Sequence, residues 1–367
     1  MNILFYALTK NQGGIENLIY NYYSWMKRTN LQITFLAMDE NVVYEEEFRK
    51  LGAKVIHLPE KKKNRQFFYE KMEAIVRSGK YDAVWFNDNN LCDISLLKIA
   101  RKRKVPVRIC HSHNSTLTTP GKLRLLRHRW NSLFITKYAT DLWSCSDKAA
   151  EWAYGKDWKQ KDVRMIPNAV DTMKFCYNNE IRSAMRKQMH LEGKFVIGNV
   201  GRFCEAKNHE FILHIFKRLL EMEPNGELIL IGQGELFEQT KKKAKELQVE
   251  QSVRFLGQQD NVAEIIQCFD AFLMPSLYEG FPVAIVEAQA AGVPCVISDV
   301  ITSEVNITGS VHYLSLQEDT TKWSQVLLNT RNDIDRIQRS NKMQESNYSI
   351  RNAAKALENW FLDRREE

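Results

Sequence analysis

Two carboxylates, Glu279 and Glu287, bracket the turn Gly280-Phe281-Pro282 in an otherwise apolar stretch running from Pro275 to Asp299. An ionised carboxylate among Val286, Ala288 and Ala291 is costly unless something hydrogen-bonds it. The apolar run Ala271-Phe272-Leu273-Met274 reads as a buried strand, Pro282 as the first residue of a helix, and Gly292 with Pro294 as that helix's end. A helix starting there offers free N–H groups and a partial positive charge to an anion such as a phosphate. Glu279, before the helix, and Glu287, within it, then read as hydroxyl acceptors for a polar ligand. In the competing reading a neighbouring Lys or Arg neutralises Glu287, and Glu279 is simply solvated.

A second pair of chemical groups is cationic. Arg202 and Lys207 follow the predicted strand Phe195–Val200, so both can point into one crevice. A guanidinium fork and an ammonium point charge together neutralise a diphosphate well. His111 and His113 leave the carboxyl end of a predicted strand, Pro106–Cys110, where imidazoles donate or accept near neutral pH. No carboxylate stands close to them in sequence, which gives little support to a metal role. Gly13-Gly14, between the first strand and first helix, lets the backbone approach a ligand closely. Gly232-Gln233-Gly234 offers a similar turn, but the third glycine of a dinucleotide fingerprint is missing.

The elements that must position these groups alternate along the chain. Short apolar runs near residues 2–8, 33–36, 54–56, 83–86, 106–110 and 141–146 are separated by helical stretches, and the pattern restarts at Phe195. Such alternation predicts parallel sheets wrapped by helices on both faces, with ligands beyond the carboxyl ends of the strands. A chain of 367 residues predicts two domains. We place them at 1–171 and 190–349, with a linker near 171–190. Residues 1–170 carry 29 Lys+Arg against 17 Asp+Glu, a net of +12, and the remainder carries 23 against 28, a net of −5. The basic first half points to an anionic surface or acceptor.

Seven scattered cysteines without Cys-x2-Cys spacing argue for a reducing cytoplasm and against a disulfide framework or structural zinc. No apolar run reaches membrane-spanning length, and residues 2–8 read as a strand rather than a leader. Residues 121–138 read as a basic amphipathic helix in which Leu123, Leu126, Trp130, Leu133 and Phe134 follow helical spacing among Lys122, Arg124, Arg127 and Arg129. It suits peripheral contact with an anionic membrane, or packing on its own domain with a solvated basic side.

Glu279, Gly280, Phe281, Pro282, Glu287, Gly292 and Pro294 together form a Glu-x7-Glu element followed by Gly-x-Pro, and with the other motifs this resembles the retaining nucleotide-sugar glycosyltransferases of family 4. The resemblance implies a GT-B fold, α/β, with two Rossmann-like domains whose parallel sheets face each other across a cleft holding the active site. It implies that Glu279 contacts the donor sugar, Glu287 the ribose hydroxyls, and the amides at Gly280, Phe281 and Pro282 the sugar and phosphates. Gly201-Arg202 and Lys207 match the family's diphosphate clamp, and Gly232 with Gly234 the turn that passes the nucleotide. Phe255 lies where the base is held. Gly13, Gly14 and Glu16 match the Gly-Gly-x-Glu loop that faces donor diphosphate or acceptor.

Of the histidines, His113 is the one we align with the family's catalytic imidazole, leaving His111, Asn114 and Glu16 on the acceptor side. Ile166-Pro167-Asn168-Ala169-Val170-Asp171 matches the family's exit from the first domain with Ala169 in place of Gly, and residues 350–367 match a helix that packs back on that domain. The implied activity is hexosyl transfer, with retention, from a nucleotide diphosphate sugar, commonly UDP-linked, to a lipid-linked saccharide during exopolysaccharide or capsule assembly. It needs no cofactor, metal or nucleic acid, and implies a cytoplasmic or peripheral inner-membrane location. The alternatives are a GT-B sugar-nucleotide 2-epimerase, a Rossmann-type dehydrogenase, and a nucleotide-sugar-binding protein without catalysis.

Overall fold

A computed structural model describes residues 1–10, 14–27, 30–88, 90–114, 121–332 and 335–366. It divides into two compact units, residues 1–169 with 350–367, and residues 170–349.

In the first unit β1 (Asn2–Leu8), β2 (Gln32–Ala37), β3 (Lys54–His57), β4 (Ala83–Asp88), β5 (Val107–Ser112), β6 (Asp141–Ser144) and β7 (Val163–Met165) form one sheet in the order β3-β2-β1-β4-β5-β6-β7. Every pairing is parallel. Parallel neighbours need crossovers, and helices supply them, covering both faces. That is why the strands read as continuous apolar runs rather than alternating ones: Ile3, Leu4 and Phe5 are all fully buried. One face packs Ile3, Phe5 and Trp85 against Leu18, Ile19 and Tyr22 of the helix Gly14–Trp25, and the other packs Leu4, Val84 and Cys110 against Leu96, Leu97 and Tyr154. The final helix, Ile350–Glu366, joins the first of these cores through Ile350, Ala353, Ala354, Leu357 and Phe361, the i, i+3, i+4, i+7, i+11 stripe of an apolar helix face. Arg364 of this helix pairs with Asp141 at 2.9 Å, and Glu358 accepts the Lys27 N–H at 3.1 Å.

The second unit repeats the plan with β8 (Phe195–Val200), β9 (Gly226–Ile231), β10 (Val253–Gly257), β11 (Ala271–Met274), β12 (Cys295–Ser298) and β13 (Val311–Leu314), in the order β10-β9-β8-β11-β12-β13. The strand order reverses direction between β8 and β11, as it does between β1 and β4 in the first unit. At such a switch point the loops leaving the two strands diverge and open a crevice. The segment read as a linker, residues 171–190, is largely helical. It forms helices Thr172–Phe175 and Asn179–Gln188, capped by Asp171 and Asn178. Arg182 and Arg186 tie the second helix to Asp270 at 2.5 and 3.1 Å, which in turn accepts the Val196 N–H of β8.

Candidate active site

The crevice at the β8/β11 switch point is where two of the charged candidates, Lys207 and Glu279, meet. The loop after β8 contains a 3-10 turn, Glu205–Lys207, and Asn208 then takes a left-handed conformation (φ 54°) before the helix His209–Met222. Asn208 Nδ2 donates to the Pro275 carbonyl at 3.1 Å, and the Leu277 N–H donates to the Ala206 carbonyl at 2.8 Å. These two bonds stitch the β8 loop to the β11 loop. They bring Lys207 Nζ to 2.7 Å from Glu279 Oε1, which also accepts from Ser276 Oγ at 2.6 Å. Glu279 is therefore not a solvated carboxylate: its side chain is 11% exposed, and that of Lys207 17%. An ion pair this enclosed holds both groups in one geometry, which is what orienting a ligand requires.

Arg202 lies apart from that pair. Its exposed guanidinium meets Glu235 at 3.0 Å on the turn after β9. Glu287 sits within the helix Val283–Ala290, which starts one residue later than the sequence suggests, with Pro282 as its N-cap in extended conformation (φ −79°, ψ 95°). Burial pushes the Glu287 carboxyl up to about 7, and Lys174 only partly offsets this. The neighbouring cation thus fails to neutralise it, because desolvation outweighs a single charge. A carboxyl held in this way gains most from hydroxyl donors of a ligand.

The glycines separate into two kinds. A Cβ at Gly232, whose φ is 138°, would lie 2.0 Å from the Gly201 carbonyl oxygen, and one at Gly234 would lie 2.3 Å from the Phe203 oxygen. Close approach of the two loop backbones to each other thus demands both glycines, whatever binds there. At Gly14 and Gly280 an added Cβ meets nothing within 4 Å. Gly201 is intermediate, its Cβ position 3.3 Å from the flexible Lys207 side chain. Gly232→Ala is accordingly expected to cost roughly 2 kcal/mol or more, and Gly280→Ala to stay within about 0.5 kcal/mol of wild type; thermal unfolding of the two variants checks the contrast. Phe281 stacks on Tyr348, ring centroids 5.5 Å apart and nearly coplanar, and Phe255 packs edge-on to Phe237 at 5.9 Å. Both rings are engaged in the unit's own packing.

In the first unit the two histidines prove different. His111 is buried against Trp85 and Trp143, with Trp85 Nε1 donating to its Nδ1 at 3.3 Å. Burial and the adjacent His113 drive its pKa well below the usual range. His111 is thus a core residue, 1% exposed, where the sequence suggested a place on the acceptor side. His113 remains half-buried, and its Nε2 lies 2.8 Å from Asn87 Oδ1. Asn87 donates its own amide to the Tyr6 carbonyl, so Oδ1 accepts and His113 carries its proton on Nε2. Burial holds His113 down at about 3, so its imidazole is neutral near pH 7. Asn114 follows, half-buried, on the same loop. Glu16, expected on the acceptor side, is buried, and its Oε1 accepts from both Thr9 N and Thr9 Oγ1, at 3.2 and 2.6 Å. Gly13 falls outside the described residues.

Comparison with known proteins now decides the family. Residues 12–174 match Glycosyltransferase Family 4, and residues 180–320 match Glycosyl transferases group 1. The EpsF protein of Bacillus subtilis (strain 168) is 33% identical over 327 residues, covering 86% of this chain and 84% of its own. The chain belongs to glycosyltransferase family 4. The UDP-Gal:alpha-D-GlcNAc-diphosphoundecaprenol alpha-1,3-galactosyltransferase of Escherichia coli is 27% identical over 232 residues, 62% of this chain and 60% of its own. Among solved structures, Anabaena HepE in complex with UDP superposes with a TM-score of 0.74 over the whole of both chains at 16% identity. The fold is accordingly GT-B, and the protein is a glycosyltransferase.

Sequence reasoning passed over three partners of the candidate residues, one in the first unit and two in the second. Ser276 stands three residues before Glu279, a spacing that one turn of backbone brings together. Asn87 closes the apolar run of β4, where a polar residue at a strand's carboxyl end could have drawn notice. Lys174 carried no signal, since only folding sets it near Glu287.

Proposed function

We propose that this glycosyltransferase moves a hexose, with retention of anomeric configuration, from a UDP-sugar to a lipid-linked saccharide in the assembly of a bacterial surface polysaccharide. The observation that carries the reading is the Lys207–Glu279–Ser276 arrangement at the β8/β11 crevice. An ammonium held there faces the charge that develops on a departing diphosphate, and Arg202 stands free enough to swing from Glu235 onto the same group. The N–H groups of the first turn of Val283–Ala290 add a partial positive charge. Glu279 then accepts from a sugar hydroxyl and Glu287 from the ribose. HepE was solved with UDP, and the E. coli relative uses UDP-Gal with a diphosphoundecaprenol acceptor, which supports both ends of the proposal.

Incubation with labelled UDP- and GDP-sugars, with and without a lipid-linked acceptor, tests it. Transfer is expected from a UDP-sugar only when acceptor is present; consumption of the donor into an epimer with no acceptor would refute it. Because the protein's own cations neutralise the diphosphate, EDTA is expected to leave the transfer rate within about twofold of the untreated value.

A further inference from the structure

The helix Lys122–Leu133 is seated on its unit the wrong way round. Its buried residue is His128, not an aliphatic one. The Leu91 N–H donates to His128 Nδ1 at 3.0 Å, His128 Nε2 lies 3.0 Å from the Trp152 carbonyl, and its ring stacks on that of Trp152 at 4.2 Å. Asn131 Nδ2 donates to the Leu91 carbonyl at 2.6 Å, and Ser132 Oγ to the Ala153 carbonyl at 2.7 Å. The apolar residues are turned away: Leu123, Leu126, Trp130 and Leu133 are 74%, 61%, 66% and 74% exposed. At about 100° per residue these four fall within an arc of roughly 80°, centred opposite His128. Phe134 extends the row, its ring 5.1 Å from that of Trp130.

Four exposed side chains of this size in one row are not a scattered surface. Tying the helix down by hydrogen bonds leaves its apolar face for another partner. The surrounding charge says what that partner is. Between Asp93 and Asp141 the chain carries eleven Lys and Arg and no Asp or Glu. Lys122, Arg127 and Arg129 flank the apolar row. Lys98 and Arg101 lie over the Tyr138 ring at 5.4 and 5.7 Å, carrying the basic surface on from the next short helix, Ile135–Tyr138. An apolar protein partner would have no use for such uniform charge, whereas the headgroup layer of an anionic bilayer matches both features.

We propose that Lys122–Leu133 is a membrane-docking helix that lies in the plane of an anionic lipid surface, with Leu123, Leu126, Trp130 and Leu133 entering the acyl boundary and the flanking cations at the headgroups. It rests on the lipid-linked acceptor of the preceding subsection and names the surface through which the enzyme reaches it. The polar anchoring supplies the rigidity: insertion of the row does not require the helix to leave its own unit.

Co-sedimentation of the full chain with vesicles tests this. Wild type is expected to bind vesicles of phosphatidylcholine with about a third phosphatidylglycerol at least tenfold more tightly than pure phosphatidylcholine, and to release as salt is raised. Leu126→Glu/Trp130→Glu is expected to lose this binding, and Arg127→Gln/Arg129→Gln to weaken it about tenfold. Both are exposed-face changes, and both variants are expected to keep wild-type transfer to a detergent-dispersed acceptor. Equal binding by wild type and the Leu126→Glu/Trp130→Glu variant would overturn the proposal. So would a wild-type dimer, by light scattering, that this variant converts to monomer, because the row would then be covered by a second copy. Vesicle binding by a protein that takes up no nucleotide sugar would refute the function proposed for the crevice and leave the docking surface standing.

Discussion

A Lys207→Ala protein is expected to transfer sugar at about a hundredth to a thousandth of the wild-type rate, the loss typical of removing one preorganised electrostatic donor. Steady-state transfer at saturating donor measures it. The variant also strands the Glu279 carboxylate, mostly enclosed and left with Ser276 alone. Breaking an enclosed pair by removing one partner costs about 3 kcal/mol, so a drop in stability accompanies the drop in rate. The double variant Lys207→Ala/Glu279→Gln separates the two effects. It is expected to recover most of the lost stability, because no uncompensated charge remains, and to recover none of the activity. Wild-type transfer by the purified single variant would remove Lys207 from the chemistry and leave it as a structural ion-pair partner. Arg202→Ala, at an exposed position, is expected to keep full stability while losing transfer.

Glu287→Gln is expected to make the protein more stable at pH 8 and less able to hold its donor. Burial raises the Glu287 carboxyl from an ordinary 4.5 to about 7 in the folded protein. An acid raised on folding favours its protonated form in the native state. Stability is therefore greatest below 4.5, falls as pH rises from 4.5 to about 7, and is lower by a constant amount above that. The full difference is on the order of 3 kcal/mol. Glutamine keeps the shape and carries no charge, so its advantage is expected to be present at pH 8 and to shrink to a small remainder at pH 5. Unfolding curves in denaturant at the two pH values check this. A variant no more stable than wild type at pH 8 would mean that Glu287 is solvated or paired. The functional half is read by titration with UDP. Hydroxyls that donate to an ionised Glu287 lower its pKa on binding, so UDP binding to wild type near pH 7 is expected to release up to one proton, and Gln is expected to abolish that release.

The contrast between Glu279 and Glu287 shows how a protein sorts two carboxylates of one motif. Glu279 lies in a loop, where Lys207 and Ser276 can approach it. Glu287 lies on a helix whose neighbours Val286 and Ala288 are fully buried, and the cation whose charge reaches it, Lys174, is on a different helix. One is therefore oriented before any ligand arrives, while the other, its carboxyl pushed up to about 7, is poised between its two protonation states.

Much of this was legible in the residues themselves. Apolar runs of four to seven residues separated by helical stretches can only be buried parallel strands, and that periodicity dictates the α/β class and the doubled pattern. The motif spacing named the family, because glycines at 232 and 234 and carboxylates at 279 and 287 report local backbone and ligand requirements that do not depend on distant neighbours. Pairings across the fold were not legible. Lys207 meets Glu279 across 72 positions only because strand order reverses between β8 and β11. His111 and His113 stand two apart and share a face, their rings 4.0 Å from each other; the end of β5 at Ser112 is what separates the one in the tryptophan-lined core from the other at its edge. The helix at 122–133 is the clearest case. Its amphipathic pattern was visible, but which face meets the protein depends on hydrogen-bonding groups at Leu91 and Trp152, and periodicity cannot register a partner that only the tertiary structure brings near.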